Sequence, residues 1–151
     1  MSENKFNAVI FDLDGVITKT AVVHSLAWKK MFDDFLRERA EKTGEKFIEF
    51  SHEKDYLTFV DGKPRYKGVE SFLKSRHIDL PYGNADDSPD KETICGIGNR
   101  KNQAFNEILK TDGVQVYDSS VRLIKYNPDL ISCILILDEY SPTISSRFCS
   151  K

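Results

Sequence analysis

The sequence predicts an α/β fold built on an open sheet. Two apolar segments, residues 8–11 and 130–137, have the composition of strands buried in such a sheet. Between them, much of the chain shows the 3.6-residue periodicity of amphipathic helices. Two acids, Asp12 and Asp14, follow the first strand directly, at the end where open α/β sheets bind their ligands.

Composition excludes several classes of protein. The 151 residues suffice for one ordinary domain or two small ones, and 40% hydrophobic with 30% charged residues is typical of a globular chain. A net charge of −2 gives no electrostatic footprint for nucleic acid. Residues 1–5 do not begin a signal peptide, and the apolar run 130–137 is too short to span a bilayer. We therefore expect neither a nucleic-acid nor a membrane partner.

The cysteines indicate a reducing environment. Cys95, Cys133 and Cys149 are odd in number, widely spaced and not accompanied by a His/Cys cluster. This pattern favours neither a disulfide framework nor a zinc site. It predicts a reduced, cytoplasmic setting.

The acidic pair after the first strand is the strongest functional signal. Asp12 and Asp14 are two residues apart, which places their side chains on one face if the strand continues, and Gly15 permits a sharp turn. Two adjacent carboxylates repel each other unless a cation or a shared proton intervenes, and Mg²⁺ prefers such oxygen ligands. One carboxylate can attack phosphorus and the other can transfer a proton. A solvated turn is the alternative, but the apolar residues on both sides of the pair argue against it.

Three helices are predicted directly after this motif. Residues 22–42 carry apolar side chains four apart, and Gly44 marks the end of this first helix. A second, shorter helix is expected within 47–59, followed by a loop over 60–68. A third helix ends near His77, with the apolar face Val69, Phe72 and Leu73.

The rest of the chain returns to the sheet. A polar loop over 80–91 offers Ser88 or Asp90 as the cap of a helix over 92–112, which is interrupted near Gly96 and Gly98 and ended by Gly113. A short extended segment, 114–117, then precedes a helix capped by Ser119 or Ser120.

The segment 11–18, Phe-Asp-Leu-Asp-Gly-Val-Ile-Thr, resembles the first motif of the haloacid-dehalogenase superfamily. Thr20, His24 and residues 27–29 extend the likeness and are most similar to the β-phosphoglucomutase-like branch. The resemblance covers about the first 125 residues. It implies a partial, Rossmann-like parallel-sheet core with an inserted α-helical cap.

The resemblance also implies boundaries for these parts. Residues 1–20 would hold the first core strand and the catalytic loop. Residues 21–112 would form the helical cap. Residues 113–151 would return to the core and end in a divergent tail.

Roles for the acidic residues follow from the resemblance. Asp12 would be the nucleophile that forms an aspartyl phosphate, and Asp14 the general acid/base. The Asp12 carboxylate and the Asp14 backbone carbonyl would ligate Mg²⁺. Thr20 matches a hinge residue between core and cap, and His24 matches a histidine that helps to position the proton-transferring acid.

Two cationic clusters are candidates for substrate binding. A guanidinium on the Gly/Pro-containing loop, Arg65, can grip a phosphate with two hydrogen bonds. Lys101 and Asn102 are predicted at the start of a helix, where backbone N–H groups favour anions. The resemblance implies that Arg65 holds the phosphate that is not transferred and that Lys101 and Asn102 close over the sugar phosphate. Solvated surface charge is the alternative for both clusters.

The resemblance ends after residues 126–128. The family then needs a phosphate-binding Ser or Thr, a lysine and an acidic pair. Residues 138–139, Asp-Glu, could imitate the acidic pair, and hydroxyls at Ser141, Thr143 and Ser145 the phosphate-binding residue, but their order is wrong and no lysine is near. We therefore expect a truncated or frame-shifted relative with an intact first motif and cap.

The predicted function is a Mg²⁺-dependent phosphatase or phosphomutase that acts on a small phosphorylated sugar or phosphate monoester. A catalytically inactive binding or interaction module derived from the same family is the main alternative. A phosphoacceptor similar to response regulators is a third, disfavoured by the long helical insertion after Asp14. The sequence does not choose between hydrolase and mutase, although His24 favours the mutase branch.

Overall fold

The computed structural model describes residues 8–126 and 131–135, the latter as backbone only. In chain order the elements are β1 (Ala8–Asp12), α1 (Thr20–Thr43), a π-helix (His52–Val60), α2 (Arg65–Ser75), α3 (Ile94–Asp112), α4 (Asp118–Tyr126) and β2 (Ile131–Leu135). They belong to two compact units. The terminal unit combines Met1–Ala21 with Val114–Lys151, and the inserted unit is Val22–Gly113.

The terminal unit contains a parallel strand pair. β1 and β2 run in the same direction, with Ala8 opposite Ile131 and Asp12 opposite Leu135. This pairing confirms the predicted parallel core. Burial of β1 on both faces was the wrong expectation, because Ile10 is 64% exposed.

A tight turn follows β1. Gly15 adopts φ +73°, a conformation that favours glycine, and its N–H donates to the Thr18 carbonyl at 2.9 Å. The Thr18 N–H donates in turn to the Leu13 carbonyl at 2.9 Å. These bonds close the acidic segment into a compact loop.

The chain leaves and re-enters the terminal unit along an antiparallel contact. Lys19 N–H donates to the Gln115 carbonyl, and Tyr117 N–H donates to the Ile17 carbonyl, both at 2.8 Å. The return segment is therefore extended, as predicted. α4 begins at Asp118, so capping by Ser119 or Ser120 was a wrong prediction; the Ser120 hydroxyl donates instead to the Val16 carbonyl at 2.6 Å.

Three fully buried phenylalanines form the centre of the inserted unit. The ring centroids of Phe32 and Phe72 are 4.2 Å apart, and that of Phe50 is 4.9 Å from each. They come from α1, from the segment before the π-helix and from α2. Because each ring removes a large apolar area from water, this cluster joins three parts of the unit.

The part of the inserted unit before residue 76 differs from the prediction at two places. α1 and its end before Gly44 agree with the sequence. The second helix is shorter than expected, because the buried Asp33 carboxylate accepts the Phe50 N–H at 2.7 Å and holds that segment extended. The loop predicted over 60–68 is also shorter: α2 starts at Arg65, where the φ of −53° at Pro64 already suits a helix start.

α3 runs without interruption, which corrects the predicted break near Gly96 and Gly98. A Cβ at position 96 would lie 2.3 Å from the Lys91 carbonyl oxygen. Glycine at this position therefore lets the backbone of residue 91 pack closely against the first turn of α3, and it does not break the helix. The cap was also wrongly predicted. Thr93, not Ser88 or Asp90, accepts the Gly96 N–H at 2.9 Å.

The loop before α3 is organised around the buried carboxylate of Asp87. It accepts hydrogen bonds from the Lys91 ammonium at 2.6 Å, the Thr93 hydroxyl at 2.7 Å and the Asn84 N–H at 3.0 Å. These three donors lower the pKa of Asp87 to about 2. Asp87 thus connects the loop to the residue that caps α3.

The free thiol of Cys95 lies in the first turn of α3. Its burial raises the pKa of this thiol.

Within the described ranges, no helix has both the length and the apolar character needed to cross a membrane.

We expect Gly83→Ala to destabilise the inserted unit by about 2 to 4 kcal/mol, since it combines backbone strain with overpacking. Gly83 has φ +76°, and a Cβ there would lie 2.1 Å from Asp87 Oδ2 and 2.5 Å from Thr93 Oγ1. Gly62→Ala is the matched control, with φ +69° and open space, and should cost about 1 kcal/mol. Urea unfolding followed by fluorescence of Trp28, the only tryptophan, measures both. Equal losses would contradict the proposed crowding at Asp87.

The Asp87 carboxylate should also make the stability of the folded chain depend on pH in the acidic range. Its folded-state pKa of about 2 lies below the ordinary 3.8, so its ionised form stabilises the folded chain above about pH 4, and this contribution is lost as the pH falls toward 2. Asp87→Asn should therefore melt at a lower temperature than wild type at pH 6, with the gap closing toward pH 2. The exposed neighbour Asp86→Asn makes the same chemical change and is the control for the loss of a surface charge. A gap for Asp87→Asn that stays constant with pH would contradict the assignment.

Candidate functional site

The two predicted catalytic acids lie at the carboxyl end of β1. Asp12 is the last residue of the strand, and Asp14 pairs with Thr18 across the turn that follows. Both are exposed. Asp12 Oδ1 accepts the Leu13 N–H at 2.7 Å, which fixes one of its oxygens against the turn.

Thr20 is a direct partner of this acidic pair. Its hydroxyl donates to Asp14 Oδ1 at 2.8 Å, although the residue itself is only 5% exposed. The Thr18 hydroxyl donates in parallel to the Leu13 carbonyl at 3.0 Å. The sequence predicts a hinge at Thr20 but not this hydrogen bond. The two hydroxyl residues Thr18 and Thr20, placed shortly after the acidic pair, are the signal that could have pointed to it.

The oxygen donors of this turn suit Mg²⁺ by their chemistry. Mg²⁺ is usually bound through one or two carboxylates, with water and substrate phosphate completing its six ligands. The Asp12 carboxylate and the Asp14 carbonyl are donors of this kind. Among residues 8–126 no group of three His, Cys, Asp or Glu side chains is arranged to hold a metal ion, so the described donors could supply only part of a coordination shell.

In the inserted unit, His24 of α1 meets Lys101 of α3. Lys101 Nζ lies 2.9 Å from His24 Nδ1, and it is 5.0 Å from the centroid of the Phe105 ring and 5.4 Å from that of Trp28. The His24 ring stacks on Phe105 with centroids 4.3 Å apart. The structure therefore brings two predicted site residues together, as a buried ammonium held by an imidazole nitrogen and two aromatic faces.

The position of these residues in α3 corrects one prediction. α3 begins at Ile94, so Lys101 and Asn102 lie in its interior rather than at its start. The backbone N–H groups of a helix N-terminus are thus not available there to an anion. Asn102 is exposed, whereas Lys101 is buried.

Arg65 is the first residue of α2, not part of a loop. Its Nη1 donates to Asn99 Oδ1 at 3.3 Å, and the residue is half-buried. Asn99 was not among the residues predicted from the sequence. The tail residues proposed as substitutes for the later motifs, 138–139 together with Ser141, Thr143 and Ser145, lie outside the described residues.

No protein-family model matches the chain. Among curated proteins, it is 54% identical over 121 residues to a β-phosphoglucomutase of Mycobacterium bovis, a match that covers 80% of this chain and 46% of that protein. It is 35% identical over 102 residues to a β-phosphoglucomutase of Bacillus subtilis, covering 68% and 36%. It is also 42% identical over 105 residues to an uncharacterised glycosyl hydrolase of Mycobacterium tuberculosis, covering 70% and 8%.

The fold is similar to a solved structure as well. CbbY from Rhodobacter sphaeroides, solved in complex with phosphate, matches with a TM-score of 0.54 and 16% identity over 87% of this chain and 51% of that one. At this identity the match shows the fold alone. The chain spans less than half the length of the curated relatives named above.

The hydrogen bond from Thr20 to Asp14 should be measurable as stability. Thr20→Val keeps the shape of the buried side chain but cannot donate, so we expect a loss of about 1 kcal/mol. Thr20→Ser keeps the hydroxyl and should retain more of the hydrogen-bond contribution. Differential scanning calorimetry compares the variants, and a valine variant as stable as wild type would contradict this assignment.

Proposed function

Because the chain belongs to the haloacid-dehalogenase superfamily, in its β-phosphoglucomutase-like branch, we propose that it acts in phosphoryl transfer on a small phosphorylated sugar. The reaction is that of a phosphomutase or phosphatase and proceeds through an aspartyl phosphate. One observation carries the proposal: Asp12 and Asp14 lie at the end of a parallel strand, where a closed turn begins, and Asp14 is held by Thr20.

In this proposal Asp12 is the nucleophile. Its free carboxylate oxygen forms a bond to phosphorus while the bond from phosphorus to the sugar oxygen breaks. The Leu13 N–H, which donates to Asp12 Oδ1, stabilises the carboxylate and leaves the second oxygen for attack. Water or a sugar hydroxyl then takes the phosphoryl group from Asp12, which restores the carboxylate.

Asp14 moves the proton in both halves of the reaction. It protonates the departing sugar oxygen in the first step and accepts the proton of the attacking hydroxyl or water in the second. Thr20 donates to one Asp14 oxygen and so orients the other toward the reacting group. Asp14 therefore starts protonated, is ionised between the two steps and regains its proton in the second, so that the protons balance over the whole reaction.

The proposal includes Mg²⁺ as cofactor, held by the Asp12 carboxylate and the Asp14 carbonyl. When bound, the ion neutralises the negative charge of the transferring phosphoryl group. The chain's own contribution is to keep these oxygens together at the strand end through the bonds of the turn.

We assign the inserted unit the role of a cap over the substrate. Arg65 holds the phosphate that is not transferred, and Lys101 and Asn102 bind the sugar phosphate. His24 supports Lys101, which the distance of 2.9 Å between their nitrogens favours. A reducing, cytoplasmic setting belongs to the same proposal and is supported by the odd number and wide spacing of the three cysteines.

A second candidate is a binding module that holds phosphate esters without turnover. It is favoured by the small donor set of the described residues, which lacks a group of three metal-ligating side chains. The two candidates differ in whether phosphate is released or moved on the sugar.

We expect Asp12→Asn to lower turnover by about 10³-fold or more, because an amide oxygen is a poor nucleophile toward phosphorus. The measurement is phosphate release from p-nitrophenyl phosphate and isomerisation of β-glucose 1-phosphate, both with Mg²⁺, on the 151-residue chain. The exposed Asp79→Asn makes the same chemical change away from the turn and should keep wild-type rates.

Three outcomes separate the candidates. A hydroxylamine-labile phosphate label on wild type that is absent from Asp12→Asn supports the covalent mechanism. Turnover that survives in Asp12→Asn rules it out. Binding of glucose 6-phosphate by wild type without any turnover favours the binding module.

A further inference from the structure

Asn99 in α3 uses its whole hydrogen-bonding capacity. Its amide oxygen accepts from the Tyr66 hydroxyl at 3.0 Å and from Arg65 Nη1 at 3.3 Å. Its amide nitrogen donates to the carbonyls of Ala85 and Asp87, each at 2.9 Å. An asparagine side chain offers two acceptor sites and two N–H donors, and here all four have partners.

This arrangement fixes which way the amide points. The oxygen faces two donors and the nitrogen faces two carbonyls, so a reversed amide would oppose like groups on both sides. The Arg65 guanidinium therefore meets an acceptor whose position is set by the loop on its other side. Asn99 connects the start of α2 to the loop that Asp87 organises.

Gly98 permits the close approach that these bonds require. A Cβ at position 98 would lie 2.6 Å from the Tyr66 ring and 3.4 Å from Arg65 Cδ. Both partners of the Asn99 oxygen thus pack directly over the backbone of the preceding residue. Any larger side chain there would displace them together.

We propose that Asn99 is a positioning residue for Arg65: it fixes the guanidinium in the orientation that meets the distal phosphate of the substrate, and it makes that orientation depend on the loop through Ala85 and Asp87. This inference rests on the proposed function, in which Arg65 holds the phosphate that is not transferred. The physical basis is pre-organisation, since a guanidinium already oriented loses less freedom when substrate binds.

The test compares Asn99→Asp with Tyr66→Phe. The Asn99→Asp change keeps an acceptor for Arg65 but places a second oxygen against two carbonyls, so it releases the loop and neutralises the guanidinium. Tyr66→Phe removes a hydroxyl that donates to the amide oxygen at 3.0 Å and lies 3.4 Å from the Ala85 carbonyl, but it leaves both bonds from the Asn99 amide nitrogen to the loop in place. Asn106→Asp is the matched control, an exposed position on the same helix with the same added charge.

Three measurements are made on each full-length variant. Steady-state kinetics with β-glucose 1-phosphate should show KM raised about tenfold in Asn99→Asp and about two- to threefold in Tyr66→Phe, with kcat changed less than KM. Hydrogen exchange at the amides of Asp87 and Lys91 should accelerate only in Asn99→Asp. The NMR signal of the Arg65 Nε–H should shift in both variants but not in Asn106→Asp.

The outcomes distinguish this inference from the proposed function. Absence of turnover in wild type would overturn the function while the NMR and exchange results still test the positioning by Asn99. An unshifted Arg65 signal in Asn99→Asp, in a variant that is folded by its Trp28 fluorescence, overturns the inference. So does a loss confined to kcat, because a positioning residue for a binding group acts on KM.

Discussion

Thr18 is the residue on which the geometry of the terminal unit depends. Its N–H and hydroxyl both donate to the Leu13 carbonyl, and its own carbonyl accepts the Gly15 N–H. It also bridges to Val116 on the returning segment. One backbone position therefore closes the acidic turn and aligns the two connections to the inserted unit. Any strain on those connections acts on the same residue that shapes the turn.

The inserted unit uses buried carboxylates where its backbone is irregular. Asp33 accepts the Phe50 N–H, Asp55 accepts the Ser51 N–H, and Asp87 accepts the Asn84 N–H. Each of these acids also binds a cation, respectively Lys29, Arg76 and Lys91. Carboxylates that look like solvated surface charge in the sequence thus satisfy loop N–H groups that no helix or strand would pair.

Local patterns predicted those features that depend on nearby residues. The acidic turn, the long first helix and its end before Gly44 follow from periodicity and turn chemistry within a few residues. The cap at Thr93 was missed because it depends on the hydrogen bond from the Thr93 hydroxyl to Asp87, which the folded loop before α3 brings into place. The uninterrupted course of α3 was missed because Gly98 makes room for the ring of Tyr66, a residue that is distant in sequence. Similarly, motif spacing identified Asp12 and Asp14 as candidate site residues, whereas Asn99 becomes visible only once α2, α3 and the loop lie together.

The parallel pairing of β1 with β2 has a consequence for how the chain acquires its structure. These strands lie near opposite ends of the described sequence, and closing so long a loop carries a large entropic penalty. The inserted unit is a continuous segment with its own aromatic centre, so it can collapse before the strands meet. Once collapsed, the inserted unit brings residues 19 and 115 together. The loop that must still close for β1 to pair with β2 is then shorter. Pairing of Thr18 with Val116 is then a late event, because it waits for the returning segment.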